Sequence, residues 1–185
     1  QFASFYMPGD FIPHVRMMDT GRQNTSLAGL FGLPYVVVRK PRPIDTTTLN
    51  YNWQIWDTSA FSLYTTETDF IDEKSARQAV SAVLRFLTRM GILKYNSHNG
   101  YISTVIGEEE LTSVKTDTGG IYRRLVHPGD EVQRGEPLAE IVHPYEGDVI
   151  STVLSPTEGV VFFMHKKPLV TENEIVCRII RRLHN

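Results

Sequence analysis

The second half of this chain repeats itself, and that repeat limits the possible fold more than any other feature. Gly120-Ile121 recurs as Gly159-Val160, Val132 as Val170, and Leu138-Ala139-Glu140-Ile141 as Val176-Cys177-Arg178-Ile179. The offset is 38 to 39 residues, with the one-residue slip falling in a loop. With two copies, the pattern describes two similar β-units packed together rather than a long solenoid. Between the matched stretches stand His127-Pro128-Gly129-Asp130, Arg134-Gly135, His143-Pro144-Tyr145-Glu146-Gly147 and Ser155-Pro156-Thr157-Glu158-Gly159, which is all-β punctuation. Gly135 is matched by Asn173, the next most tolerant residue for φ > 0, so turn chemistry supports the alignment.

The first half has a different grammar. Gln23 to Leu30 is a short helical stretch, with Thr20 or Asn24 as its cap and Gly32 and Pro34 as its stop. Tyr35-Val36-Val37-Val38 is a β-branched run suited to a strand buried on both faces. Ser59 to Thr66 reads as another strand. Asp72 caps the clearest helix, Glu73 to about Met90, and Gly91 stands where a left-handed C-cap is wanted. Ala76, Val80, Val83, Leu87 and Met90 step by three and four along it, with Arg77, Arg85 and Arg89 on the other side. Strands alternating with helices predict an α/β layer with some parallel pairing. The change of pattern falls between Asn96 and Glu110, so the expected domains are 1–104 and 105–185.

Composition narrows the function classes. At 185 residues and 41% hydrophobic, the chain can bury a real core. Its 19 Lys+Arg against 21 Asp+Glu lack the basic excess of a nucleic-acid binder. A lone Cys177, read as a small buried residue, excludes an internal disulfide framework and a Cys-rich zinc site. No apolar run approaches the roughly 18 residues of a membrane span, and no signal-peptide pattern opens the sequence, so no membrane partner and a cytoplasmic location are expected. The sequence starts at Gln1, without Met, inside an aromatic segment that reads as core rather than leader. A fragment, a trimmed chain and a first ordered residue all fit that start.

The second half resembles the barrel-sandwich hybrid of biotinyl and lipoyl carriers, on the strength of Gly120-Ile121, Val126-His127-Pro128-Gly129-Asp130-Glu131-Val132, Gly135, Leu138 to Ile141 and Ser155 to Val160. The hairpin corresponding to the carriers' lysine tip, Ile141 to Val149, has no lysine, so neither biotin nor lipoyl attachment is expected. Taken whole, the chain resembles the C-terminal part of the succinylglutamate desuccinylase/aspartoacylase family. The markers are Trp56-Asp57-Thr58 leading into Phe61 to Glu67, then Ile71-Asp72, the Ala76 to Met90 helix ending at Gly91-Ile92-Leu93, and the β-domain after it.

The resemblance implies a zinc carboxypeptidase-like deacylase, with zinc held by His, Glu and His and a separate glutamate as general base. Pro13-His14-Val15-Arg16 looks like a stretch that follows the family's third ligand. The three ligands therefore fall outside the matching segments. Zinc is expected in the complete protein, with none tightly bound to this chain and no activity from it alone. Glu67 takes the general-base position, at the end of Leu63-Tyr64-Thr65-Thr66. Arg16, His14 and Arg22 are candidates for binding the N-acyl substrate, because an acidic acyl group calls for a fixed cation.

Other polar clusters read as structural. His143-Pro144-Tyr145-Glu146 matches His-x-x-Glu but is expected to be a surface turn. His165-Lys166-Lys167 reads as a solvated turn, although a loop there could reach an active site in the complete protein. Arg178, Arg181 and Arg182 read as solvated, and Trp53 and Trp56 as packing residues. The rival reading is a non-catalytic binding or oligomerisation module that keeps the fold without metal. A truncated sheet edge leaves room for a homo-oligomer.

Overall fold

The structure is a computed structural model. It describes residues 8–21, 25–67, 70–96 and 98–182. The chain opens with β1 (Gly9–Phe11), β2 (His14–Met18), α1 (Thr25–Gly29) and β3 (Tyr35–Arg39). A 3-10 turn at Pro43–Thr47 leads to α2 (Leu49–Ile55), β4 (Ser62–Tyr64), α3 (Glu73–Arg89) and β5 (Thr104–Gly107). Eight strands follow: β6 (Leu111–Lys115), β7 (Gly120–Arg124), β8 (Glu131–Val132), β9 (Pro137–Val142), β10 (Val149–Leu154), β11 (Gly159–His165), β12 (Leu169–Val170) and β13 (Ile175–Arg181).

These elements form two compact units. One contains Gln1–Ile12, Glu67–Phe70 and Glu110–Asn185; the other contains Pro13–Thr66 and Ile71–Glu109. In the α/β unit the strand order is β4-β2-β3-β5. Parallel pairing joins β2 to β3 and β3 to β5, and β4 runs antiparallel to β2. Its core gathers Val15, Met17 and Val36 from the sheet with Ala28 of α1, Ala82 of α3, and Phe31 and Leu33. Phe31 stacks on Phe86 with ring centroids 4.3 Å apart.

Asp72 caps α3 as expected, accepting a hydrogen bond from the Ser75 N–H at 2.8 Å. Gly91 follows with φ +73°, the left-handed conformation that ends a helix. The face that α3 buries is not the expected one. Ser75, Ala82 and Arg85 are buried, whereas Val80 is 58% and Val83 42% exposed. Arg85 turns inward because it has carbonyl partners there. Its guanidinium donates to the Phe31 oxygen at 2.6 Å and to the His98 oxygen at 2.8 Å. A Cβ on Gly32 or Gly100 would come within 2.7 Å of Arg85, so both glycines make room for it. Trp53 and Trp56 also depart from expectation, being 51% and 80% exposed instead of packed.

The β-rich unit has two antiparallel sheets. One runs β1-β11-β13-β6 with β8 also on β11, and the other runs β10-β9-β7-β12. The sequence repeat is visible as two trios, β7-β8-β9 and β11-β12-β13, and the trios complete each other. Val132 of β8 pairs with Gly159 of β11, and Val170 of β12 pairs with Gly120 of β7. Both glycines are required by close approach. A Cβ on Gly120 would meet Ile141 Cγ2 at 2.7 Å, and one on Gly159 would meet Ile179 Cγ2 at 2.8 Å, at equivalent positions of the repeat. Asn173 has φ +63° and Gly135 φ +84°, as the alignment of the turns requires. Among the described residues, no helix is long and apolar enough to cross a membrane.

Candidate functional site

β2 carries two of the expected site residues on one face, since positions two apart in a strand share a side. His14 is 1% exposed, and its ring stacks on Tyr64, 5.0 Å between centroids, with interplanar angle 13°. Arg16 forms an ion pair with Glu108, which follows β5 and also accepts from Arg42 at 2.9 Å. Arg39 at the end of β3 pairs with Asp45, with Nη1 donating to Oδ2 at 2.7 Å. Burial pushes the Asp45 carboxyl up, but the Arg39 hydrogen bond, the Arg42 N–H and the two guanidinium charges outweigh it and hold the group below the usual carboxylate range. Arg22, the third substrate-binding candidate, lies outside the described residues.

Glu67 belongs to the β-rich unit, three residues along the chain from the end of β4. Its side chain is 10% exposed and accepts a hydrogen bond from the Lys166 ammonium. Lys166 Nζ also stands 3.5 Å from Asp10 Oδ1, and Arg124 donates to Asp10 Oδ2 at 2.6 Å. The Phe70 ring lies under the ammonium, 5.2 Å from it, in cation–π contact. Arg124, Asp10, Lys166 and Glu67 thus form a chain of alternating charge. The Glu67 hydrogen bond and the Asp10 charge raise Lys166 above the ordinary lysine range against a smaller opposing effect of burial. This arrangement fixes the Glu67 carboxylate in place with one ammonium.

The expectation of a solvated turn at His165-Lys166-Lys167 is therefore corrected. Lys167 is exposed, but Lys166 is bound into the charge chain and His165 is 1% exposed at the end of β11. The His165 ring meets Tyr122 edge to face at 5.3 Å, with Glu174 Oε1 3.8 Å from Nδ1. Burial pulls its imidazole below the ordinary range, and Glu174 pulls weakly the other way. Asp10 and Arg124 were not singled out from sequence; their pairing spans 114 positions and has no local signature. Arg178 is half-buried, whereas Arg181 and Arg182 are exposed, Arg182 in a surface ion pair with Glu131 at 3.0 Å.

The His143 segment is an exposed turn, with the Glu146 N–H donating to His143 Nδ1 at 3.2 Å. Cys177 is buried, and burial pushes its thiol up to about 12. A groove of about 380 Å³ in the α/β unit is lined by Thr25, Ser26, Val36, Arg89, Tyr101 and Val105. Arg89 is its charged group and already donates to the Leu30 oxygen at 3.0 Å, so the groove offers little chemistry. Among the described residues, no three His, Cys, Asp or Glu side chains gather into a metal site. These residues by themselves do not fit a catalytic zinc, which takes three protein ligands and an open position.

No family model and no curated protein sequence matches the chain. Solved structures do. The product-bound ectoine utilization protein EutE (DoeB) from Ruegeria pomeroyi aligns with TM-score 0.75 and 17% identity over 92% of this chain and 53% of its own. A succinylglutamatedesuccinylase/aspartoacylase from Rhodobacter sphaeroides aligns with TM-score 0.76 and 17% identity over 100% of this chain and 57% of its own. A succinylglutamate desuccinylase from Silicibacter sp. TM1040 aligns with TM-score 0.75 and 16% identity, covering 92% and 53%. The chain therefore carries the fold of the succinylglutamate desuccinylase/aspartoacylase family over about half the length of these relatives.

Proposed function

We propose that this chain is the C-terminal part of a zinc-dependent deacylase that cleaves the amide bond of a small N-acyl amino acid. In this reading residues 1–104 are the end of a carboxypeptidase-like α/β domain, and residues 105–185 are a barrel-sandwich hybrid domain. The observation that carries it is the fold match across nearly the whole chain to proteins named for desuccinylation and aspartoacylation. The zinc would sit on ligands outside this chain and supply an acidified water. What this chain would contribute is Glu67 as a proton acceptor, held by Lys166. Arg16 would release Glu108 to grip an acidic acyl group, with His14 beside it on the same face of β2 and Arg22 nearby in sequence.

The test uses the longer protein and two substrates, an N-acetyl-aspartate-like and an N-succinyl-glutamate-like amide. Glu67→Gln keeps shape and hydrogen bonding but cannot take the proton, so kcat should fall by about 10²- to 10⁴-fold while zinc content and folding stay unchanged. Near-normal kcat in that variant would place the base elsewhere. The 185-residue chain by itself should turn over neither substrate.

A further inference from the structure

We propose that the outer face of the β10-β9-β7-β12 sheet is an interface with a second copy of this chain. An antiparallel sheet with one face on a core ordinarily turns polar side chains outward. This sheet does so only in part. Its inner face gives Tyr122, Ile141 and Val153 to the core. On the outer face the register sets Leu169 of β12 beside Ile121 of β7, Ile121 beside Val142 of β9, and Val142 beside Val149 of β10. Residues directly opposite across a ladder share a face, so four aliphatic side chains form one row across all four strands. Leu169 is 66% exposed, Val149 46% and Ile121 37%. A continuous row of this kind, unlike scattered single residues, marks an interaction surface.

The neighbouring row identifies the occupant. Two residues along the strands, Arg123 of β7 lies opposite Glu140 of β9, and Glu140 opposite Thr152 of β10. Arg123 Nε donates to Glu140 Oε2 at 2.8 Å, and Nη2 donates to the same oxygen. Oε1 and Nη1 take no part in that pair. A two-fold axis parallel to the strands, midway between β7 and β9, exchanges these two strands between facing copies. It lays Ile121 on the partner's Val142 and Leu169 on the partner's Val149. The same rotation brings Arg123 to the partner's Glu140, and Glu140 to the partner's Arg123. Aliphatic meets aliphatic and each charge meets its opposite, which is the self-complementarity that a two-fold dimer requires.

A different partner would need an independent reason to carry the same alternation of charge, whereas a second copy carries it necessarily. The spacing of strands, about 4.8 Å, makes the row about 14 Å wide. A face of that size is at the low end for a specific interface, so the dimer should be reversible and form at micromolar concentration. The inference goes beyond the deacylase reading and stands or falls independently of it.

The experiment is sedimentation velocity of the 185-residue chain over about 1 to 500 µM, which should show a monomer converting to a dimer as concentration rises. The double variant Val149→Glu, Leu169→Glu sets carboxylates face to face at both ends of the row. It should raise the dimer Kd at least about tenfold and leave Tm of the monomer unchanged, since both side chains are exposed there. Arg123→Glu and Glu140→Arg should each weaken self-association. Mixing those two single variants should restore it, because a doubly acidic face then meets a doubly basic one. Loss of the pair within one chain would not be repaired by mixing. A dimer indifferent to the double variant, or single variants that do not associate with each other, would overturn the proposal. So would a chain that stays monomeric throughout the range, which would leave the row to a different partner.

Discussion

Phe163 of β11 and Val83 of α3 are both apolar residues at positions where a core is expected, yet Phe163 is fully buried and Val83 is 42% exposed. The contrast runs through the two units. In the β-rich unit each half of the repeat lends a short strand to the other, and Leu138, Ile141, Val161 and Ile179 are wholly buried between the sheets. In the α/β unit the core under α3 is closed by an arginine, while aromatic and aliphatic side chains on α2 and α3 meet solvent. A repeat brings its own partner; among the described residues the outer stripe of α3 has no comparable cover.

That contrast can be broken at several points. Phe163→Ala should have the largest effect, destabilising the β-rich unit by about 3–5 kcal/mol through lost burial and the cavity left behind. Chemical denaturation checks it, and a loss below about 1 kcal/mol would mean that this core is looser than its burial indicates. Arg85→Met should cost about 1–3 kcal/mol, because the Phe31 and His98 carbonyls lose their buried donor. An unchanged midpoint there would show that water replaces the guanidinium at no cost.

A pH series sharpens the comparison further. His165 is held neutral by burial in the folded β-rich unit, whereas the unfolded chain takes up a proton near the ordinary value of 6.5. The unfolded state therefore binds more protons below that pH. Stability should be full above about 6.5 and fall as pH drops from there toward the lower folded value. His165→Leu should flatten this slope in urea titrations; a slope that persists belongs to another group. The smallest effect is expected at Trp56, 80% exposed, where Trp56→Ser should stay within about 0.5 kcal/mol in this chain. A larger loss would show that α2 is packed more firmly than its exposure indicates.

How much of this was legible in the sequence depends on whether the physical cause is local. The repeat, the Asp72 cap, the Gly91 stop and the Asn173 turn could all be read, because each rests on chemistry within a few residues. Helix α3 could be placed but not oriented. Periodicity reveals an apolar stripe and is silent on which neighbour covers it, and Arg85 was attracted inward by carbonyls 13 and 54 positions away. At the candidate site, Glu67, His14 and Arg16 were singled out by family resemblance. The Lys166 contact with Glu67 spans 99 positions and leaves no trace in composition or spacing. The same holds for His165, the last of five successive buried residues in β11, where no alternation marks it.

The exchange of β8 and β12 between the two trios also governs how this unit can come apart. β8 and β12 are two-residue strands whose ladders lie in the other trio, so neither trio holds its full set of partners in isolation. Unfolding one removes a strand from the other, which binds the two into a single cooperative transition rather than two successive ones. The contacts responsible join positions 27 and 50 residues apart, Val132 to Gly159 and Gly120 to Val170. Loops of that length must close before either ladder forms, as they must in the α/β unit, where His14 pairs with Tyr64 and Tyr35 with Thr104. By the same geometry, one trio excised from the chain could rebuild this architecture only by meeting a second copy of itself.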